Sequence, residues 1–310
     1  MVVTNQDLAA THGFDPDWIV RRTGILERRM LAPEFATSDL ATEAARKCIE
    51  KAGVDPADID LIIVATFTAD MPLPSTACLV QRNLGLTGPA MDMQAACAGF
   101  MYAMTTGMQF VANGCSKLAL IIGAECISRE VNPTDQGTYP LFGDAGGAVL
   151  LVPGDAEQGL VQYTLGADGT GADLIEQPMG GSRQPTNLTG LKNHQQFIQM
   201  AGRPVFKWAI RILRDTVIDV TAGAGLSLDD IDLLIAHQAN IRIIDAATES
   251  LGLPKEKVFI NLDRYGNTSA ASIPLALDEA LAQGRIARGD LLLLCGFGAG
   301  LTWGTALLKW

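Results

Sequence analysis

A stretch of twelve residues that returns 172 positions later constrains this chain most. Ala52-Gly53-Val54-Asp55-Pro56-Ala57-Asp58-Ile59-Asp60-Leu61-Ile62-Ile63 recurs as Ala224-Gly225-Leu226-Ser227-Leu228-Asp229-Asp230-Ile231-Asp232-Leu233-Leu234-Ile235. In each copy a helix end and an acidic turn lead into a continuous apolar run. Farther on, Leu118 to Gly123 has a counterpart in Leu291 to Gly296. Two halves with the same succession of helix and buried strand point to a duplication. Strands that are apolar throughout, alternating with helices, indicate parallel-type sheets covered by helices. The expected fold class is α/β, with halves at 1–155 and 156–310.

The apolar content agrees with a large core. Of 310 residues, 48% are hydrophobic and only 18% charged. No apolar run reaches membrane-spanning length, since Leu291 to Leu301 is short and broken by glycines. Met1-Val2-Val3-Thr4-Asn5-Gln6-Asp7 has neither a basic n-region nor an apolar h-region. These features predict a cytoplasmic protein with no membrane association. The net charge of −11 argues against nucleic acid as a partner, and it obliges any acidic partner to find a local basic patch. None of the six cysteines forms a C-x-x-C pair, so neither a zinc site nor a dithiol motif is expected.

In chain order, Asp15-Pro16 opens a helix as N-cap and first residue. Trp18 and Arg22 then share one face, four apart, within a basic cluster that includes Arg21, Arg28 and Arg29. A planar aromatic beside a guanidinium suits a purine base, and the other arginines suit phosphates; an ordinary amphipathic surface helix has the same pattern. Helices are expected from Thr37 to Ala52, ended by Gly53, and from Ser75 to Leu84. Buried strands are expected at 61–65, 118–123 and 145–152. From 155 to 195 glycine, proline, asparagine and glutamine rise, which reads as a connector, with His194 on its surface. A helix from Pro204 to Val220 carries Arg203, Lys207, Arg211 and Arg214 at spacings of 4, 4 and 3. That stripe is either a solvated face or a dock for an acidic partner.

The chemistry gathers at strand ends. Ala90 to Gln94 reads as a strand, then Cys97 at the first turn of a buried helix reaching Val111. There the helix dipole and unpaired N–H groups favour a thiolate. Buried packing is the other use of such a cysteine. In the second half, strand 233–236 delivers His237, strand Val258 to Leu262 leads to Asn267, and strand 291–295 leads to a glycine loop at 296–300. Open α/β sheets place ligands at such ends, and N–H groups in the 298–300 loop suit an oxyanion. This convergence favours Cys97 as a nucleophile. A Cys, a His and an Asn, with His237 lying 140 residues after Cys97, also occur in papain-type hydrolases. The C-G-[SA]-C-[WY] signature and the early nucleophile are absent, and the duplicated pattern does not suit that fold. Acyl transfer onto Cys97 and carbon–carbon bond formation is the other route. It needs two neutral donors to hold an enolate as carbon dioxide leaves, and His237 Nε2–H and the Asn267 amide suit that.

Ala95-Ala96-Cys97-Ala98-Gly99-Phe100, His237-Gln238-Ala239-Asn240, Gly266-Asn267-Thr268-Ser269-Ala270-Ala271-Ser272 and Gly296-Phe297-Gly298-Ala299-Gly300-Leu301-Thr302-Trp303-Gly304 resemble the motifs of the β-ketoacyl-[acyl-carrier-protein] synthase III family. The resemblance spans almost the whole chain. It implies a thiolase-like fold, a five-layered αβαβα sandwich of two duplicated halves, and an acyltransferase that condenses an acyl-CoA primer with malonyl-[acyl-carrier-protein] through acyl-Cys97, initiating type II fatty acid synthesis. It further implies His237 and Asn267 as the decarboxylation pair and the N–H groups of Cys97 and Ala299 as the oxyanion hole. Coenzyme A would be held by Trp18, Arg22, Arg203 and Asn240. Leu73, Met200 and Phe206 would line the acyl pocket, and Lys207, Arg211 and Arg242 would dock the acidic carrier protein. It implies a homodimer, with acyl-CoA and malonyl-carrier protein as substrates and no permanently bound cofactor. The alternatives are a related condensing enzyme or acyltransferase of a secondary pathway, a thioester hydrolase, and an inactive scaffold.

Three departures stand out. The family begins with a further strand, central in the first sheet, so that slot is expected to be missing here. Gln136 stands where many members have an arginine, and Arg203 where they have an asparagine. Leu73 stands where acetyl-preferring members have a phenylalanine, which predicts tolerance for longer or branched primers.

Overall fold

The computed structural model describes residues 1–155 and 157–310. The strands are β1 (Val2–Thr4), β2 (Glu27–Arg29), β3 (Leu61–Ala65), β4 (Ala90–Met93), β5 (Ala119–Glu125), β6 (Ala145–Leu151), β7 (Gly159–Ala167), β8 (Ile175–Glu176), β9 (Gln199–Met200), β10 (Leu233–Ala236), β11 (Leu291–Gly298) and β12 (Thr302–Lys309). The helices are α1 (Asn5–His12), α2 (Pro16–Thr23), α3 (Thr37–Ala52), α4 (Thr76–Leu84), α5 (Gly99–Ala112), α6 (Leu188–Lys192), α7 (Gly202–Gly223), α8 (Ile241–Leu251), α9 (Leu262–Tyr265) and α10 (Ser272–Ala282).

Two four-stranded sheets carry the duplication, in the orders β4-β3-β5-β6 and β10-β11-β12-β7. Each is mixed: β3 runs parallel to β4 and β5, and β10 to β11, while β6 and β12 are antiparallel to their neighbours. The layers follow from which face each apolar side chain covers. Ala41, Ala45 and Val80 of α3 and α4 pack on Ile62, Val64, Leu120 and Ile122. Phe100 and Met104 of α5 and Ile273 and Leu277 of α10 fill the space between Ile63 and Ile121 of one sheet and Ile235 and Leu294 of the other. Leu213 and Val217 of α7 and Ile244 of α8 cover Leu234 and Leu293 from outside. Helix, sheet, helices, sheet, helix make the five-layered αβαβα sandwich expected from the resemblance.

Local signals held at several places. Asp15 caps α2 through its side chain, with Pro16 in the first turn, and Gly53 ends α3 in the left-handed region at φ 64°. Met101 and Met104 are buried core side chains. Other expectations are corrected. The supposed connector holds β7, a nine-residue strand paired along β12; Gln162 and Thr164 interrupt its apolar residues, so it lacks the continuous apolar run that marks the other core strands. Residues 258–262 are not a strand. Val258 makes one bridge to Leu234, and Leu262 already begins α9.

A central vacancy in the first sheet is also corrected. β4, β3, β5 and β6 pair residue by residue without a gap. In the second sheet β7 lies beyond β12, so the equivalent place in the first sheet is the outer edge of β6. Residues 2–4 pair with 27–29 in a separate ribbon, and 5–12 form α1. The expected division at 155/156 falls at residue 156, outside the described residues; the first sheet lies before it in sequence and the second after it.

Candidate active site

The two internal helices bring their N-terminal ends together at the centre of the sandwich. Each is entered through a single turn of 3-10 helix, Ala96–Ala98 before α5 and Ser269–Ala271 before α10. Each turn holds a non-glycine residue at positive φ, Ala96 at 45° and Ser269 at 48°. That conformation costs about 1–3 kcal/mol per residue, and its recurrence at equivalent places marks a turn that both halves use. Cys97 lies in the first of these turns, just before α5 rather than in its first helical turn. Gly123 of β5 lets α10 approach this closely, because a Cβ there would sit 2.3 Å from Ala270 O.

Cys97, His237 and Asn267 line one cavity of about 720 Å³ with Phe297, Gly298 and Ala299. His237 follows β10 directly and donates its N–H to Cys295 O at 2.7 Å. Its ring meets Phe297 edge-on at 5.4 Å, and its Nδ1 lies 2.7 Å from Ser272 Oγ. With the serine hydroxyl donating to Nδ1, the remaining Nε2–H faces the cavity. Burial pushes the imidazole down to about 3, so it is neutral at physiological pH. Asn267 Oδ1 accepts from Ser269 N–H at 2.9 Å, which leaves the amide NH2 as its free end. Two serines behind the site therefore leave two neutral donors to face the cavity.

Cys97 lies deep but keeps part of its surface open to the cavity. Burial pushes its thiol up to about 12; a Ser269 hydrogen bond works against that, and the nearby Glu125 charge adds to it. Removal from water thus works against the thiolate that the helix end was expected to favour. Among the described residues the Ala299 N–H has no backbone hydrogen-bond partner and the Cys97 N–H has only its own sulfur, which leaves both able to serve an oxyanion hole. The glycine loop is smaller than expected. Gly296 and Gly298 still belong to β11, and residues 299–301 alone turn the chain into β12. Thr302 Oγ1 ties that turn to the turn of Cys97 by hydrogen bonds to Ala95 O (2.9 Å) and Ala299 O (2.8 Å).

Gly298 is the closest approach in the site. A Cβ there would lie 2.7 Å from Cys97 Cβ, 2.9 Å from its N and 3.1 Å from its Sγ. Gly298→Ala is expected to slow acylation of Cys97 about 10²-fold by displacing the sulfur, and single-turnover acylation with a thermal melt checks it.

Met200, Phe206 and Asn240 also line the cavity, whereas Leu73, Trp18, Arg22 and Arg203 do not. Leu73 is 84% exposed. Trp18 is half-buried against Leu8, Phe14 and Ile19, and Arg22 and Arg203 are exposed. Asn240 caps α8 by accepting from Arg242 N–H and donates to Arg22 O at 3.0 Å, so it joins α2 to the cavity rim. Lys207, Arg211 and Arg242 are exposed on α7 and α8. The Arg242 guanidinium lies 5.3 Å over the Phe206 ring, which places it beside the mouth. Arg214 leaves the basic stripe because Asp215 pairs with it at 2.5 Å.

Sequence reasoning missed the side chains behind the site. Ser269 and Ser272 lie inside a quoted motif, yet no spacing rule says what they bond. Glu125 had a signal: an acidic residue ends the apolar run of β5. Among the described residues no group of three or more His, Cys, Asp or Glu side chains is gathered as metal ligands would be, and no helix is long and apolar enough to cross a membrane.

Residues 91–169 match the family model described as 3-oxoacyl-[acyl-carrier-protein] synthase III, and residues 221–310 match the model of its C-terminal part. The chain is 55% identical to a β-ketoacyl-[acyl-carrier-protein] synthase III of Rhodopirellula baltica, covering 100% of this chain and 94% of that protein. It is 49% identical to one of Desulfitobacterium hafniense, with the same coverage. The solved structure of the synthase III of Thermus thermophilus superposes with a TM-score of 0.93 at 43% identity, covering 100% of this chain and 95% of that one.

Proposed function

This chain belongs to the 3-oxoacyl-[acyl-carrier-protein] synthase III family, and we propose that it condenses an acyl-CoA primer with malonyl-[acyl-carrier-protein] through acyl-Cys97. It is an acyltransferase-type condensing enzyme that initiates fatty acid synthesis. In the first half-reaction the Cys97 sulfur attacks the primer thioester, with the N–H groups of Cys97 and Ala299 holding the oxyanion. In the second, the malonyl thioester oxygen accepts from His237 Nε2–H and the Asn267 amide. These donors stabilise the enolate formed as carbon dioxide leaves, and the enolate carbon attacks acyl-Cys97. The observation that carries this reading is the paired orientation of the two donors, set from behind by Ser272 and by the Ser269 N–H. Donors held in place before the reaction need no reorganisation when charge develops.

The same reading extends outward from the cavity. Lys207, Arg211 and Arg242 are the dock for the acidic carrier protein. Trp18, Arg22, Arg203 and Asn240 receive coenzyme A, with Gln136 and Arg203 shifting its contacts from the usual ones. The protein works as a cytoplasmic homodimer of two-half subunits divided at 155/156. Exposed Leu73 and Met71 and the unpaired edge of β4 support the dimer. Leu73 would close the partner's acyl pocket, where a leucine leaves more room than a phenylalanine.

Intact-mass measurement after incubation with a panel of acyl-CoAs tests the first half-reaction, and carbon dioxide release on adding malonyl-carrier protein tests the second. A single acyl adduct on Cys97 that malonyl-carrier protein discharges is expected; an adduct that only water discharges would make the protein a hydrolase. In the same panel, primers a methylene longer than acetyl, or branched, should acylate no more than about 10–200-fold more slowly than acetyl-CoA, since one methylene in an apolar pocket shifts selectivity by about 1–3 kcal/mol. Strict acetyl preference would refute the role given to Leu73.

A further inference from the structure

Glu125, the last residue of β5, is fully buried, and no ion pair reaches it among the described residues. A carboxylate so placed needs hydrogen-bond donors where water would be. They come from two directions. Oε2 accepts from Thr68 Oγ1 at 2.7 Å, Thr66 Oγ1 at 3.0 Å and Thr68 N–H at 3.1 Å, all in the segment after β3. The Phe67 N–H lies between the two oxygens, at 3.2 and 3.3 Å. Oε1 also accepts from Ser269 Oγ at 3.2 Å, in the turn that leads into α10. A carboxylate anchored on the first sheet thus holds a residue of the second half.

That residue orients Asn267. Its N–H donates to Asn267 Oδ1 at 2.9 Å. The Asn267 main chain is fixed separately, its N–H donating to Leu141 O at 2.8 Å and its C=O accepting from Gly143 N–H at 3.0 Å. These two bonds leave the rotation of the amide open, and the Ser269 N–H decides it. Ser269 itself stands at φ 48°, a backbone that a non-glycine residue keeps only where its surroundings hold it.

We infer that Glu125 is a positioning residue for decarboxylation: through the Ser269 hydroxyl it fixes the turn whose N–H aims the Asn267 amide at the malonyl thioester oxygen. The inference rests on the proposed role of Asn267 in that half-reaction. Glu125 is not among the residues that line the cavity, so it acts only through its hydrogen bonds. An amide that must rotate into place as charge develops stabilises the enolate less than one already aimed. His237 takes its support from Ser272 instead, so the Glu125 network serves one donor of the two.

The test compares carbon dioxide release from malonyl-carrier protein, labelled in its free carboxyl group, with single-turnover acylation by acetyl-CoA. Burial pushes Glu125 up to about 7 against its hydrogen bonds, so both are measured at about pH 8.5, where the carboxylate is charged. Ser269→Ala removes the hydroxyl and spares the threonine bonds. It should fold, since Ala96 keeps the same left-handed backbone in the other half at φ 45°. Glu125→Gln keeps the size but turns an NH2 to the Ser269 hydroxyl, which must then accept instead of donate. Each should lower kcat for decarboxylation about tenfold, less than loss of the donor itself. KM should stay within about threefold, and acylation should not slow by more than about threefold. Added to Asn267→Ala, either substitution should cost less than about twofold further, because it acts through the amide already removed. If Glu125→Gln does not fold, Ser269→Ala decides. Unchanged carbon dioxide release, equal loss in both half-reactions, or a loss that persists in full on Asn267→Ala would each overturn the inference; the last two would mark Glu125 as a merely structural residue. A wild type that releases no carbon dioxide would overturn the proposed function, and this inference with it.

Discussion

Cys97→Ser is expected to lower acyl-adduct formation more than about 10³-fold, as removal of a nucleophile does elsewhere. A serine at this depth stays protonated, and its hydroxyl is a weaker nucleophile than a thiol. Packing should be preserved, because oxygen is smaller than sulfur and Gly298 crowds the position closely. Decarboxylation of malonyl-carrier protein should persist within about tenfold, because its donors, His237 and Asn267, are untouched. Intact mass with acyl-CoA and carbon dioxide release with malonyl-carrier protein separate the two. Wild-type rates of condensation in this variant would remove Cys97 from the mechanism.

His237→Ala and Asn267→Ala should give the mirror-image result. Each removes one donor from the enolate oxygen, and loss of such a donor lowers the rate about 10²–10³-fold. Acylation of Cys97 should stay within about threefold, since neither donor acts on the primer. The pH dependence carries the sign. Burial lowers the imidazole to about 3, so its neutral form dominates at all higher pH values. The decarboxylation rate of acyl-enzyme should therefore show no histidine inflection between about pH 5 and 8. An inflection near the ordinary histidine value that His237→Ala abolishes would mean that the imidazolium is the working form.

Much of the scaffold could be read before any coordinates. The strands of β3, β5, β10 and β11 are apolar because both faces are covered, and that pattern survives any detail of packing. Asp15 and Gly53 behave as local rules say, because caps are set within a few residues. β7 escaped because Gln162 and Thr164 interrupt its apolar residues, and the Val258 segment because a single bridge does not make a strand. Both depend on which neighbour lies beside them in the sheet.

Residue order alone carries the duplication, the layered α/β class and three side chains, Cys97, His237 and Asn267, that the fold gathers on one cavity, because periodicity and short motifs are local properties of the chain. The tertiary structure alone decided the proton states and orientations. Burial works against ionisation of the Cys97 thiol, and Ser272, Ser269 and Glu125 reach the site from α10, the turn before it and β5. Desolvation and hydrogen bonding across the fold have no signature in residue spacing, so they emerge only when both halves close on one cavity.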